Sequence, residues 1–166
     1  TAIRLIYNSE RFSEDLDFDN FKLNFSEFTS LINLVMADLK LKDFEVEMRM
    51  VEKMAYHCYI KFPDILFKNK LSAFKNEKIL IRIDATREDR LIEPKVTILD
   101  RFSIYRKILV NPLDIILSQK IMAILERKRE KGRDLYDVSY LLGISDPNYE
   151  YLEKSCGISK ARLKDK

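Results

Sequence analysis

A chain of 166 residues with 46% hydrophobic and 34% charged residues suits one globular domain with its own core, or one domain with a small helical annex. Its +3 net charge is mild, and no apolar run approaches the ~20 residues that cross a bilayer. One histidine, His57, excludes a histidine-rich zinc site and speaks against a catalytic triad. The two cysteines, Cys58 and Cys156, are isolated and lack metal-ligand spacing. With no secretory leader visible, the expectation is a cytoplasmic protein with free thiols. The three glycines, Gly132, Gly143 and Gly157, all fall in the last third, so no glycine-rich phosphate loop is present.

In chain order, residues 1–7 read as a short helix. Residues 15–21 read as a strand carrying the pair Asp15 and Asp17. Strand side chains alternate, so both carboxylates point one way while Leu16 and Phe18 point into a core. Adjacent carboxylates repel unless solvent or a cation sits against them. Magnesium takes hard oxygen ligands, often one or two protein carboxylates plus substrate phosphates. One reading is therefore a metal-assisted phosphoryl or nucleotidyl transfer site. The other is an acidic strand edge that keeps a sheet soluble.

Residues 26–41 form an amphipathic helix, with Ser26 as N-cap and Phe28, Leu31, Ile32, Leu34, Val35 and Leu39 as its apolar face. Residues 44–54 alternate as a half-buried strand, and residues 55–62 form the next strand and a candidate hairpin partner. Residues 63–76 are a loop or short helix. Residues 78–85 are a strand, and residues 96–99 and 105–110 add further strands. After Asn111-Pro112 the character changes to helices: residues 112–127, 133–142 and 148–156. The expected layout is an α/β (α+β) core with a mixed sheet over residues 1–110, followed by a helical segment over residues 111–166 that ends in a basic, frayed tail.

Three further features bear on chemistry. Asp84 shares a strand face with Arg82, and is either a third metal carboxylate or simply the strand end before a turn. Lys120 falls near the centre of an apolar stripe of Leu113, Ile116, Leu117, Ile121 and Ile124. It must snorkel out or meet an anion, and a triphosphate would be such an anion. The run Arg133-Asp134-Leu135-Tyr136-Asp137 opens the next helix with Leu135, Val138 and Leu142 facing inward. Its acids either complement the helix dipole, with Asp137 pairing Arg133 four residues back, or contact Lys120 or the attacking substrate. Basic residues Arg127, Lys128, Arg129, Lys131 and Arg133, and a second group of Lys154, Lys160, Arg162, Lys164 and Lys166, are a solvated surface or the footprint of a polyanionic acceptor such as RNA.

Taken together, Thr1-Ala2-Ile3-Arg4-Leu5, Arg11-Phe12-Ser13-Glu14-Asp15-Leu16-Asp17-Phe18, Ile81-Arg82-Ile83-Asp84 and Gln119-Lys120-Ile121-Met122-Ala123 with Arg127 and Arg133-Asp134-Leu135-Tyr136-Asp137 resemble the AbiEii/AbiGii nucleotidyltransferase toxins of abortive-infection toxin–antitoxin pairs. The pieces span nearly the whole chain. The resemblance implies a polymerase-β-like nucleotidyltransferase core and transfer of a nucleoside monophosphate from an NTP to tRNA acceptor ends. It implies magnesium on Asp15 and Asp17 with Asp84 as the third carboxylate, and Lys120 on nucleotide phosphates. It also implies Asp134 as an essential acid, Ser13 and Thr1 at the nucleotide, Arg133 and Asp137 in support, and a DNA-binding antitoxin as partner. Relatives carry a Gly-Gly pair just before the threonine matching Thr1. The chain starts after that point, so the expectation is either a fragment or a copy shortened at the phosphate-cradling motif. Two rivals stand beside this reading. One is a catalytically impaired relative that binds RNA or a partner. The other is a glycosyltransferase using Asp-x-Asp for a nucleotide sugar, which explains neither Lys120 nor the Arg133–Asp137 run.

Overall fold

The computed structural model describes residues 1–88, 92–127 and 131–158. In chain order the elements are α1 (Ala2–Leu5), β1 (Leu16–Asn20), α2 (Phe25–Leu41), β2 (Glu47–Glu52), β3 (Ala55–Phe62), α3 (Ile65–Lys68), β4 (Ile79–Arg87), β5 (Lys95–Arg101), β6 (Ile104–Val110), α4 (Leu113–Glu126), α5 (Gly132–Leu142) and α6 (Tyr149–Cys156). This is the α+β class with a mixed sheet expected from the sequence. The chain divides into two units, Thr1 with Phe12–Arg90, and Ala2–Arg11 with Leu91–Lys166. That division differs from the change of character at Asn111-Pro112, because β5 and β6 group with the helices that follow them. No helix among the described residues is long and apolar enough to cross a membrane.

The first unit is a four-stranded sheet in the order β1-β4-β3-β2, with β1 parallel to β4 and the other neighbours antiparallel. Alternation fills one face of the sheet with Cys58, Ile60 and Phe62 of β3 and Ile83 and Ala85 of β4. Phe28, Ile32 and Met36 of α2, spaced by four, close over them. Each such side chain contributes about 1.5–3 kcal/mol on burial. The apolar face of α2 is narrower than expected: Leu31, Leu34 and Val35 are exposed, since one sheet covers only one stripe of a helix. The cap is also Asn24 rather than Ser26. Asn24 accepts the Glu27 amide hydrogen at 2.9 Å while the Glu27 carboxylate accepts that of Asn24 at 2.9 Å, a reciprocal capping box. Leu16 packs against the core as expected, whereas Phe18 is 56% exposed because β1 is the sheet edge.

In the second unit, α4, α5 and α6 pack through Ile116, Leu117, Ile121, Leu141 and Leu152, with Ile3 of α1 and Val110 of β6 in the same core. The Pro112 residue expected inside the first turn of α4 stands one position earlier, as its N-cap. Buried Ser118 donates to the Asp114 carbonyl at 2.7 Å and accepts the Asn148 amide hydrogen at 2.8 Å. Asn148 in turn caps α6 by accepting from the Tyr151 amide at 2.9 Å. Gly157, at φ 67°, ends α6 in the left-handed conformation that glycine adopts without a Cβ clash.

Candidate functional site

The first unit gathers the expected carboxylates on the sheet face away from α2. Parallel register sets Asp17 beside Asp84, as Leu16 beside Ile83 on the core side, so both acids share one face. On the other flank of β4, His57 stands opposite Asp84. Its Nδ1 lies 2.8 Å from Asp84 Oδ1, placed to donate to the carboxylate. Asp15 immediately precedes β1, and Arg82 ties it to the same side. Arg82 Nη2 donates to Asp15 Oδ2 at 3.0 Å, while Arg82 Nε lies 3.1 Å from Asp84 Oδ2. That second contact is an ion pair without hydrogen-bond alignment, and the buried Nε finds no acceptor. The Thr1 hydroxyl donates to the main-chain carbonyl of Asp15 and lies 3.2 Å from Ser13 Oγ. Thr1, Ser13, Asp15, Asp17 and Asp84 thus belong to one neighbourhood.

Three carboxylates on one face supply the hard oxygen donors that magnesium takes. Like charges directly opposite on neighbouring strands are unfavourable, so the face needs cations. In the arrangement described, Arg82 supplies that charge to Asp15 and Asp84. Among the described residues no set of three or more His, Cys, Asp or Glu stands in metal-holding geometry. The donor types suit magnesium, but as described the carboxylates are not gathered around one point, and Arg82 engages two of the three candidate ligands.

The second unit holds Lys120, Asp134 and Asp137. Lys120 of α4 does not stand alone in an apolar stripe. Its Nζ is 2.9 Å from Asp137 Oδ2 and 3.7 Å from Asp134 Oδ1, so the anion it meets is the protein's own. Asp137 is fully buried and accepts two bonds from Arg11, Nε to Oδ1 at 2.6 Å and Nη2 to Oδ2 at 3.0 Å. This is the bidentate fork that arginine makes with a carboxylate. Asp134 is likewise buried and pairs with Arg127. Burial pushes the Asp137 carboxyl up, and the Arg11 and Lys120 cations more than offset it, holding it below the ordinary aspartate value.

Helix α5 turns inward along Asp134, Asp137, Val138 and Leu141, a three-four spacing with two acids in it. Apolar spacing favours Leu135, Val138 and Leu142 for that face, yet Leu135 and Leu142 are exposed. Charge pairing overrides apolarity here: cations from α4 and from the segment preceding β1 make burial of the acids tolerable. Arg133 is exposed, and Asp137 goes to Arg11 and Lys120 in place of the Arg133 pairing. In the basic groups, Lys131 is exposed and Lys154 pairs with Glu150 at 2.5 Å. Lys128, Arg129, Lys160, Arg162, Lys164 and Lys166 lie outside the described residues.

Sequence reasoning missed the partners Arg11, Arg82, His57 and Arg127. Arg82 carried a signal, its place two residues before Asp84 on one strand face. Arg11 and Asp137 are 126 positions apart, and nothing local announces their pairing. A cleft of about 540 Å³ at one end of the sheet, lined by residues including Lys22, Lys53, Met54, Tyr56 and Arg87, contains none of the expected site residues.

Among protein families, residues 1–158 match the one described as nucleotidyl transferase AbiEii toxin, type IV toxin–antitoxin system. No curated protein matches the chain.

Proposed function

The chain belongs to the AbiEii nucleotidyl transferase toxins of type IV toxin–antitoxin systems, and from that membership we propose a magnesium-dependent transfer of a nucleoside monophosphate from an NTP to an RNA acceptor, tRNA above all. Membership also implies a cognate antitoxin. In this reading Asp15, Asp17 and Asp84 hold magnesium. The ion when bound supplies positive charge against the triphosphate and acidifies an acceptor hydroxyl. Thr1 and Ser13 offer hydroxyls to the nucleotide. Lys120 serves nucleotide phosphates, with Asp134 and Asp137 holding its ammonium in place and Arg133 in support at the surface.

The observation that carries the reading is the register of β1 on β4, which puts Asp17 directly beside Asp84 on the face away from α2. An acidic edge kept only for solubility has no need of a matching acid on the adjoining strand. The test is transfer of label from α-labelled NTPs to tRNA. Asp15→Ala and Asp17→Ala should each abolish it, while far-UV spectra stay unchanged. Absence of transfer to any tRNA or protein by the protein with the Gly-Gly pair restored before Thr1 would overturn the proposal. A second reading, an impaired relative that binds RNA or a partner, draws on the engagement of Asp15 and Asp84 by Arg82. It predicts salt-sensitive RNA binding that survives loss of both Asp15 and Asp17.

A further inference from the structure

One cation already stands among the carboxylates of the first unit. Arg82 and Asp84 lie two residues apart on β4, so their side chains leave the same face of the sheet. Parallel pairing of β1 brings Asp17 level with Asp84, and Asp15, one step ahead of the Leu16–Ile83 pair, falls level with Arg82. We propose that Arg82 is a placeholder cation: it keeps Asp15 and Asp84 neutralised while no metal ion is bound, and yields them when one binds. The inference rests on the metal-holding reading of Asp15, Asp17 and Asp84.

Three observations support it. The oxygens engaged by Arg82, Asp15 Oδ2 and Asp84 Oδ2, belong to two of the candidate ligands, so the guanidinium and a metal ion compete for the same negative charge. The hold on Asp84 is also incomplete. Arg82 Nε approaches to 3.1 Å without donating, and stays buried with no acceptor, whereas the firm partner of Asp84 is His57 at 2.8 Å on the other oxygen. A contact half made on one side is the one to give way. Finally, the Arg82 side chain is 39% exposed, so its guanidinium can swing toward solvent by rotamer change with no movement of β4. Once released, its planar fork suits a phosphate oxygen, which a substrate triphosphate would bring.

The proposal is tested by binding of Mn2+ alone, followed by titration calorimetry and by electron paramagnetic resonance, to the wild type, Arg82→Gln and Asp17→Asn. Asp17→Asn defines which binding belongs to the carboxylate face. Removing the competing cation should tighten Mn2+ binding about tenfold, which corresponds to about 1.4 kcal/mol. Without divalent ions Arg82→Gln should melt below the wild type, and saturating Mg2+ should raise its Tm by more than it raises that of the wild type. Unchanged or weaker Mn2+ binding by Arg82→Gln, with wild-type binding still sensitive to Asp17→Asn, overturns the placeholder role and leaves the metal reading standing. No Asp17-sensitive binding in either protein overturns both. If Arg82→Gln does not fold, Arg82→Lys replaces it. Lysine keeps the charge but spans only one carboxylate, so intermediate tightening is expected, and wild-type affinity or weaker overturns the proposal.

Discussion

Replacing Asp137 by asparagine tests whether the buried charge cluster of the second unit holds α5 in place. The substitution keeps the shape of the side chain and removes its charge. The carboxylate is fully buried and takes two bonds from Arg11, at 2.6 and 3.0 Å, and one contact from Lys120 at 2.9 Å. An asparagine retains one acceptor oxygen and turns an amide N–H toward a cation. Breaking a buried pair from one side costs about 3–5 kcal/mol. Because Arg11 and Lys120 are 23% and 29% exposed and keep some hydration, the lower end applies. A loss of about 3 kcal/mol in a chain of this size lowers Tm by about 6–12 °C.

The pH dependence follows from the depressed carboxyl of folded Asp137. A folded-state pKa below the unfolded value means that the unfolded chain binds the proton more tightly. Stability from this group is then complete above the unfolded aspartate pKa of about 3.9 and lost as pH falls through the folded value. The gap in stability between wild type and Asp137→Asn should therefore be constant near neutrality and close on acidification below about pH 4. Urea titrations followed by far-UV circular dichroism at several pH values measure it. A control, Glu150→Gln, removes an exposed pairing with Lys154 and should leave the midpoint unchanged. If Asp137→Asn melts with the wild type, or if the gap persists undiminished at acid pH, the cluster does not hold α5 and the reasoning fails.

Further outcomes follow from the packing. Asn24→Ala removes the side-chain half of the capping box on α2 and should cost about 1 kcal/mol in urea unfolding, with Asn24→Ser recovering most of it. Leu117→Ala, at a fully buried position of α4, should cost about 2–5 kcal/mol, whereas Leu34→Ala on the exposed side of α2 should stay within about 0.5 kcal/mol. Equal effects of the two would contradict the burial assigned to these helices. Burial pushes the Cys58 thiol up to about 11, so at neutral pH a thiol reagent should label the partly exposed Cys156 first and Cys58 only on unfolding. Rapid labelling of Cys58 in the folded protein, read by mass spectrometry of peptides, would show that β3 is not covered by α2.

Much of the local order was legible in the sequence because it depends on near neighbours. Period-two alternation marked β2 and β4, three-four spacing marked α2 and α4, and Asn148 and Gly157 mark the start and stop of α6 in the structure. The motif around Asp15 and Asp17, with Ile81–Asp84, Lys120 and Arg133–Asp137, carried the family, which the match over residues 1–158 bears out. Which side of a helix is buried was less legible. Hydrophobicity favoured Leu31, Leu34 and Val35 on α2 and Leu135 and Leu142 on α5, and all five are exposed. One sheet covers one stripe of α2, and on α5 two carboxylates took the inner positions because cations from distant segments meet them there.

The sequence by itself determined the class of the protein: its helices and strands, the paired acids at the start of β1, and the family those residues mark. Only the tertiary structure decided the partners. Parallel register set Asp17 beside Asp84, antiparallel register set His57 on the other side, and packing in the second unit joined Arg11 to Asp137 across 126 positions. The reason is physical. Alternation and helical period are written in adjacent side chains, whereas burying or neutralising a charge requires a partner that only a folded chain brings near.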